Sequence, residues 1–409
     1  MPQWRRCLVG TTDGTVHLIS ASRANKSSLT AIAQRKIVAL FTVLVVALAA
    51  AAWPFTRAHL QAIAVLRQVS GQEVPWIVTK MVTVPVHIED VQVQTTTGAV
   101  RARLYLPQQR QDAPALIVLH GVHHQGIDEP RLRNFAVAMA SCGLQVLTPE
   151  LTGIKDYHID YNSVKVIDES ARWFAQRTAA PVGVMGLSFS GGLALVAAAD
   201  PEYKSDFKFV LAVGSQDSME HVATYYLTGR EVRPDGTTEQ LAPHEYGPLV
   251  LEYEHLEDFV TGQDEAAIRS VLQQHLYEDK TAEALAADRL NARQKAEAMQ
   301  LMDSSSALTK AMLASSSKKH IREMDALSPD GKLQTMTTPV YLLHGRGDNI
   351  IPSAETMWMA GELPSSTLKE VLISPVLSHL NMDGSKPSLV DQWKIVHFFA
   401  VVMHTAERK

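Results

Sequence analysis

An α/β architecture is predicted: a mostly parallel sheet covered by helices on both faces, preceded by one N-terminal transmembrane helix and interrupted by a helical insertion. Three observations carry it. Short apolar runs alternate with stretches of helical spacing from residue 115 onward. One run leads through a small-residue turn into an alanine-rich helix, at 182–199. The alternation then stops for about a hundred residues and resumes at Val340.

The 409 residues are 46% hydrophobic and 20% charged, which excludes a disordered acidic chain and is enough for one large domain or two smaller ones. With a net charge of −5 and no basic stripe, nucleic acid is excluded as an expected partner. Cys7 and Cys142 flank a strongly apolar segment, so no internal disulfide and no cysteine metal cage are expected.

Residues 1–36 form a basic tail, with Arg5, Arg6, Arg23, Lys26, Arg35 and Lys36 against the single acid Asp13. Residues 37–56 carry no charge and at helical rise reach roughly 30 Å, one bilayer core. The charge bias puts the tail in the cytoplasm and the rest of the chain outside, as periplasmic or cell-envelope material. Ala50-Ala51-Ala52 before Trp53 leaves a cleaved signal peptide and a secreted product as the alternative. The long leader and long apolar run favour an uncleaved signal-anchor. Residues 57–87 read as a stalk or linker, with helical spacing at 58–69.

From Ile88 the period switches to two, on either side of a Thr-Gly turn, predicting a β-hairpin. Strands are expected at 115–119, 144–148, 182–187 and 209–213, with helices at 129–141, 163–177 and 191–199 between them. These make up the first part of the core, 88–217. Residues 218–321 become polar and Ala/Glu/Gln-rich and are expected as a helical cap insertion, with serine triplets at 304–306 and 315–317 bounding a helix or acting as joints. The second part of the core, 322–409, holds strands at 340–343 and 369–373 and a long helix at 388–406.

The strongest chemical signal is the strand-turn-helix VGVMGLSFSGGLALVAAA. A serine on such a bend projects its hydroxyl at the top of a sheet, with the next backbone N–H facing the same space. Ser188 is the expected nucleophile, in an elbow made with Gly186, Ser190 and Gly191. Ser190 stands where the G-x-S-x-G pattern has its second glycine, and a frame with Ser190 as nucleophile stays open. Downstream, the strand at 340–343 leads into a loop holding Asp348 four residues before Pro352, and His379 follows the next strand. All three sit at carboxyl ends of expected strands, where open α/β sheets place their sites.

With these motifs in this order, residues 90–217 and 322–409 resemble the α/β-hydrolase superfamily, with features of its dienelactone-hydrolase-like and acyl esterase branches. The resemblance implies a serine hydrolase that cleaves a small-molecule carboxylic ester, with no cofactor. His379 would act as general base and acid, and Asp348 would orient it. The N–H groups of Phe189 and Val122 would form the oxyanion hole. Asp217, after the strand at 209–213, is a reserve for the acid. The alternatives are a peptidase of the same superfamily and a catalytically silent binding or scaffold protein.

His120, His123 and His124 lack the partners of a metal site and are expected to line the pocket mouth or face solvent. Tyr225, Tyr226, Leu251, Tyr253, Met299 and Met302 would line the substrate pocket or form the cap's own core.

Overall fold

The computed structural model describes the backbone of residues 20–108, 110, 112–377 and 388–408, and side chains from residue 36 onward. The chain divides into two compact units, residues up to Thr56 and Arg57–Lys409.

The part of the helix Ser20–Val69 that belongs to the first unit carries exposed apolar side chains, among them Ile37, Leu40, Phe41, Leu44 and Leu48. By length and composition it can cross a membrane, with a mean hydropathy of 2.4 over its most apolar window. The first half of the expected basic tail, residues 1–19, lies outside the described residues.

The second unit is built on an eight-stranded sheet. Its strands are β1 (Val86–Thr95), β2 (Gly98–Pro107), β3 (Ala115–Leu119), β4 (Gln145–Pro149), β5 (Val182–Leu187), β6 (Phe207–Val213), β9 (Val340–Gly345) and β10 (Leu368–Ser374). A separate antiparallel ribbon supplies β7 (Arg230–Val232) and β8 (Thr238–Gln240). The order across the sheet is β1-β2-β4-β3-β5-β6-β9-β10. The hairpin β1-β2, closed at Thr95 opposite Gly98, pairs antiparallel, as does β2 with β4, and every other pair is parallel.

Period-two alternation sorts the strand side chains into two cores. Ile117, Leu119, Val184, Val210 and Leu342 face one apolar cluster, and Leu116, Val118, Met185, Leu211 and Leu343 face the other. The first is covered by the helices Tyr161–Thr178 and Phe189–Ala199 and by the segment between β6 and β9. The second is covered by Pro130–Ser141 and Leu389–Glu407.

Residues 58–82, expected as a stalk, belong instead to the second core. Ala58, Ala62 and Val65 repeat at helical spacing and are buried in the same cluster as Ala136 and Phe399, joined by Val78 and Val82 of the short helix Trp76–Val82. Polar ties fix them: Gln61 donates to the Cys142 carbonyl at 2.6 Å, and Arg57 pairs with Glu407 at 3.0 Å. The sequence showed the helical face; the segments that cover it lie elsewhere in the chain and left no local sign.

Between β6 and β9 the chain forms seven helices, from Met219–Thr228 to Ile321–Leu327, besides the β7-β8 ribbon. Ser306 caps Ala307–Lys319, its Oγ accepting from the Thr309 N–H. The second serine triplet lies inside that helix, where Ser316 donates to Asp258 at 2.8 Å.

Candidate active site

The turn from β5 into the helix Phe189–Ala199 is sharp because of what crosses beneath it. A Cβ on Gly186 would overlap the Gly191 backbone, and one on Gly191 would overlap the Ser215 side chain. Both positions demand glycine. Ser188, at the apex, is held at φ 56°, ψ −137°, a conformation that residues with a Cβ rarely adopt. Its N–H donates to Val213 O at 2.8 Å, and its carbonyl accepts from the Gly191 N–H at 2.9 Å to start the helix. The side chain is half-buried. This strained bend at the end of a central parallel strand, in a sheet of this order, decides the architecture.

The fold is that of the α/β-hydrolases.

No family model matches the chain, and no curated protein sequence matches it. Solved structures similar to this α/β-hydrolase fold include an esterase from Pyrobaculum calidifontis (14% identity, 80% of this chain and 87% of that one, TM-score 0.44). A 2-hydroxy-6-oxo-6-phenylhexa-2,4-dienoate hydrolase from a Rhodococcus species is similar at 17% identity (72% and 92%, TM-score 0.38). An acylaminoacyl peptidase from Pyrococcus horikoshii is similar at 12% (74% and 39%, TM-score 0.41).

Ser190 occupies the second glycine position without crowding it, because its side chain leaves the crossing. It is fully buried and its Oγ donates to the His120 carbonyl at 2.6 Å. That bond ties the elbow to the loop after β3. In the same loop a Cβ on Gly121 would sit 3.5 Å from the Ser188 Cβ, so Gly121-Val122 runs directly beside the apex. Phe189, whose N–H follows Ser188, begins the helix and is buried.

His120 does not reach a pocket mouth or solvent. It is buried, and its Nε2 accepts from the Leu151 N–H at 3.0 Å, which leaves Nδ1–H to donate to Gly121 O at 2.9 Å. Burial lowers its pKa to about 4, so the ring is neutral and serves to hold the loop. His123 and His124 stack on each other at 4.6 Å, and His124 stacks on Tyr277 at 4.3 Å.

Asp348 lies on the loop after β9, 1% exposed, its Oδ1 accepting from the N–H groups of Ile350 and Ile351 at 3.0 Å each. His344 braces that loop from beneath: its Nε2 is 2.9 Å from Ile351 O and 3.5 Å from Asp348 Oδ2, and its Nδ1 is 2.7 Å from Thr356 Oγ1. His379 lies outside the described residues.

Asp217, the reserve acid, is equally buried but differently placed. Neither of its carboxylate oxygens has a hydrogen-bond partner. Burial, with Glu355, Glu362 and Asp330 nearby, raises its pKa to about 8. A carboxyl that favours its neutral form is a poor stabiliser of an imidazolium, whereas Asp348 accepts two backbone hydrogen bonds.

The segment between β6 and β9 reaches the loops that carry Val122 and Asp348, through contacts the sequence did not reveal. Tyr246 donates to Val122 O at 2.8 Å, while Tyr225 Oη and the His244 N–H donate to Asn349 O at 3.2 and 2.8 Å. Tyr225, Tyr226, Leu251 and Tyr253 are buried in the first core; Met302 is half-buried against it, and Met299 is exposed. A cavity of about 310 Å³ lies away from Ser188 and is lined by polar groups including Asp156, Glu254, His255 and Glu323.

Proposed function

We propose that this protein is a serine hydrolase that cleaves carboxylic esters of small molecules through an acyl-enzyme. Ser188 is the nucleophile, His379 its general base and then acid, and Asp348 the carboxylate that orients His379. The observation that carries this reading is the Ser188 bend, strained at φ 56° with the Gly121-Val122 loop alongside. A fold maintains such strain where the geometry is used.

The sequence of events follows from the arrangement. The hydroxyl attacks the ester carbonyl as His379 takes its proton. The N–H groups of Phe189 and Val122 receive the oxyanion, and their removal typically costs on the order of 10²–10³ in rate. The protonated imidazole then delivers its proton to the leaving alkoxide, and water repeats the sequence on the acyl-serine. Residues 218–321 act as a cap: with Tyr246 on one loop and Tyr225 on the other, they shape the acyl and alcohol pockets. Residues 37–56 anchor the enzyme in a membrane, with its catalytic domain on the outer side.

Labelling of the full chain in detergent with a fluorophosphonate, followed by peptide mapping, tests the proposal. Attachment at Ser188 that is lost in His379→Ala is the expected result. No labelling of folded protein would leave a silent scaffold, attachment at Ser190 would move the nucleophile, and turnover confined to peptide amides would make it a peptidase.

A further inference from the structure

We propose that Asp217, Asp330 and Glu362 bind a calcium ion where the loop after β6, the turn before β9 and the end of the helix Ala354–Glu362 meet. A carboxylate oxygen from each of the three lies within 4.8 Å of the others. A cation with bonds of about 2.4 Å spans donors up to about 4.8 Å apart. Magnesium demands a regular octahedron, whereas calcium accepts the irregular oxygen shell that three carboxylates from separate segments would supply. The donors are all carboxylate oxygens, which suit a hard cation rather than zinc, with its preference for histidine and cysteine.

The observation that points to a ligand is the state of Asp217. It is 0% exposed, and both its oxygens lack a hydrogen-bond partner. A buried carboxyl without donors is otherwise kept neutral by a proton, which a cation entering the site displaces. Lys332 and His221 set positive charge near the three acids, but neither donates a hydrogen bond to Asp217. Lys332 Nζ donates to the carbonyls of Asp325 and Ser328, and His221 Nδ1 faces Glu355 Oε1 at 3.5 Å.

The backbone meanwhile holds the three acids in place. The N–H groups of Asp217 and Ser218 donate to Glu355 Oε2 at 2.9 Å, the Asp217 carbonyl accepts from the Asp330 N–H at 3.0 Å, and Glu362 accepts from the Gly331 N–H at 3.1 Å. Asp330 is exposed, so an ion reaches the buried Asp217 from solvent past Asp330. The ion would pin the chain leaving β6 to the chain entering β9, closing the base of the inserted segment. This site is separate from Ser188 and holds whether or not the protein is an esterase.

Isothermal titration of the full chain in detergent with calcium chloride, paired with thermal unfolding at increasing calcium, tests the proposal. One calcium per chain with a midpoint that climbs with concentration is expected. Asp330→Asn, an exposed change that leaves the core intact, is expected to weaken binding at least about tenfold, and Asp217→Asn to abolish it. Asp258→Asn, in a different acidic cluster, serves as the control and should bind as wild type. The proposal is overturned if wild type gives no heat and no shift at about 10 mM calcium, where even weak extracellular sites fill. It is equally overturned if Asp330→Asn binds as wild type does, or if Asp258→Asn loses the ion.

Discussion

Replacing Ser188 with glycine is expected to stabilise the protein while abolishing its chemistry. At φ 56°, ψ −137° a residue with a Cβ carries strain of about 1–3 kcal/mol, which glycine does not. Against this, glycine gives the unfolded chain more freedom, worth about 0.4–1 kcal/mol. The balance lies between about 0 and 2.6 kcal/mol, centred near a gain of about 1.3 kcal/mol. The proper reference is Ser188→Ala, which also lacks the hydroxyl but keeps the Cβ and hence the strain. Thermal unfolding of the two variants, each as the full chain in detergent, should place the glycine protein higher by on the order of 1–4 °C. Neither should react with a fluorophosphonate. A glycine variant melting at or below the alanine variant would refute the reasoning: the bend would then store no strain, and the main structural support for Ser188 as nucleophile would be gone.

Tyr246→Phe removes the hydrogen bond to Val122 O together with the hydroxyl contact to Tyr157, so kcat for ester hydrolysis should fall about threefold to tenfold with KM nearly unchanged; steady-state kinetics would show it. Gly191→Ala drives a methyl into Ser215 and should cost about 3 kcal/mol, seen as a lowered melting temperature and poor soluble yield. Asp168 is buried on Tyr161–Thr178, and burial, with Asp200 and Glu169 nearby, pushes its pKa up to about 8. The native state therefore keeps a proton that the unfolded chain releases above about pH 4, and stability falls as pH rises from about 4 to about 8, by up to ~1.4 kcal/mol per pH unit. Asp168→Asn should remove that share of the slope in denaturant titrations run across this range. A chain starting at Arg57 should fold without detergent, whereas one starting at Val84 should not, because it loses the buried Ala58, Ala62, Ala64, Val65, Val78 and Val82; circular dichroism and gel filtration distinguish the two.

Where the sequence was legible, a local steric demand had fixed the residue type. The hairpin showed through its period of two, and β3, β5, β6 and β9 through short apolar runs. Gly186 and Gly191 were called for because two backbones cross there, and Ser188 because it sits between them. Asp348 was expected from a loop that follows a strand with its own turn chemistry, and its role belongs to the proposal. The exception at Ser190 was visible as a departure from the pattern, but its consequence was not: only the bond to His120 O shows why serine fits there.

What tertiary structure alone decided involves contacts between segments far apart in the chain. Residues 58–82 have a helical apolar face, and nothing local says whether solvent, lipid or protein covers it; packing with 130–141 and 389–407 makes it core. His120 carries the same side chain whether it binds a metal, faces water or braces a loop, and the Leu151 N–H settled which. Tyr246 and Tyr225 lie in a stretch that reads as generic helix, yet they are what joins the inserted segment to the loops beside Ser188 and Asp348. Asp217, Asp330 and Glu362 have no spacing that betrays them as a set. Period, turn chemistry and small-residue demands act over a few residues and leave their mark in the sequence, whereas burial, tautomer and charge neighbours are set by whichever distant segment the fold brings into contact.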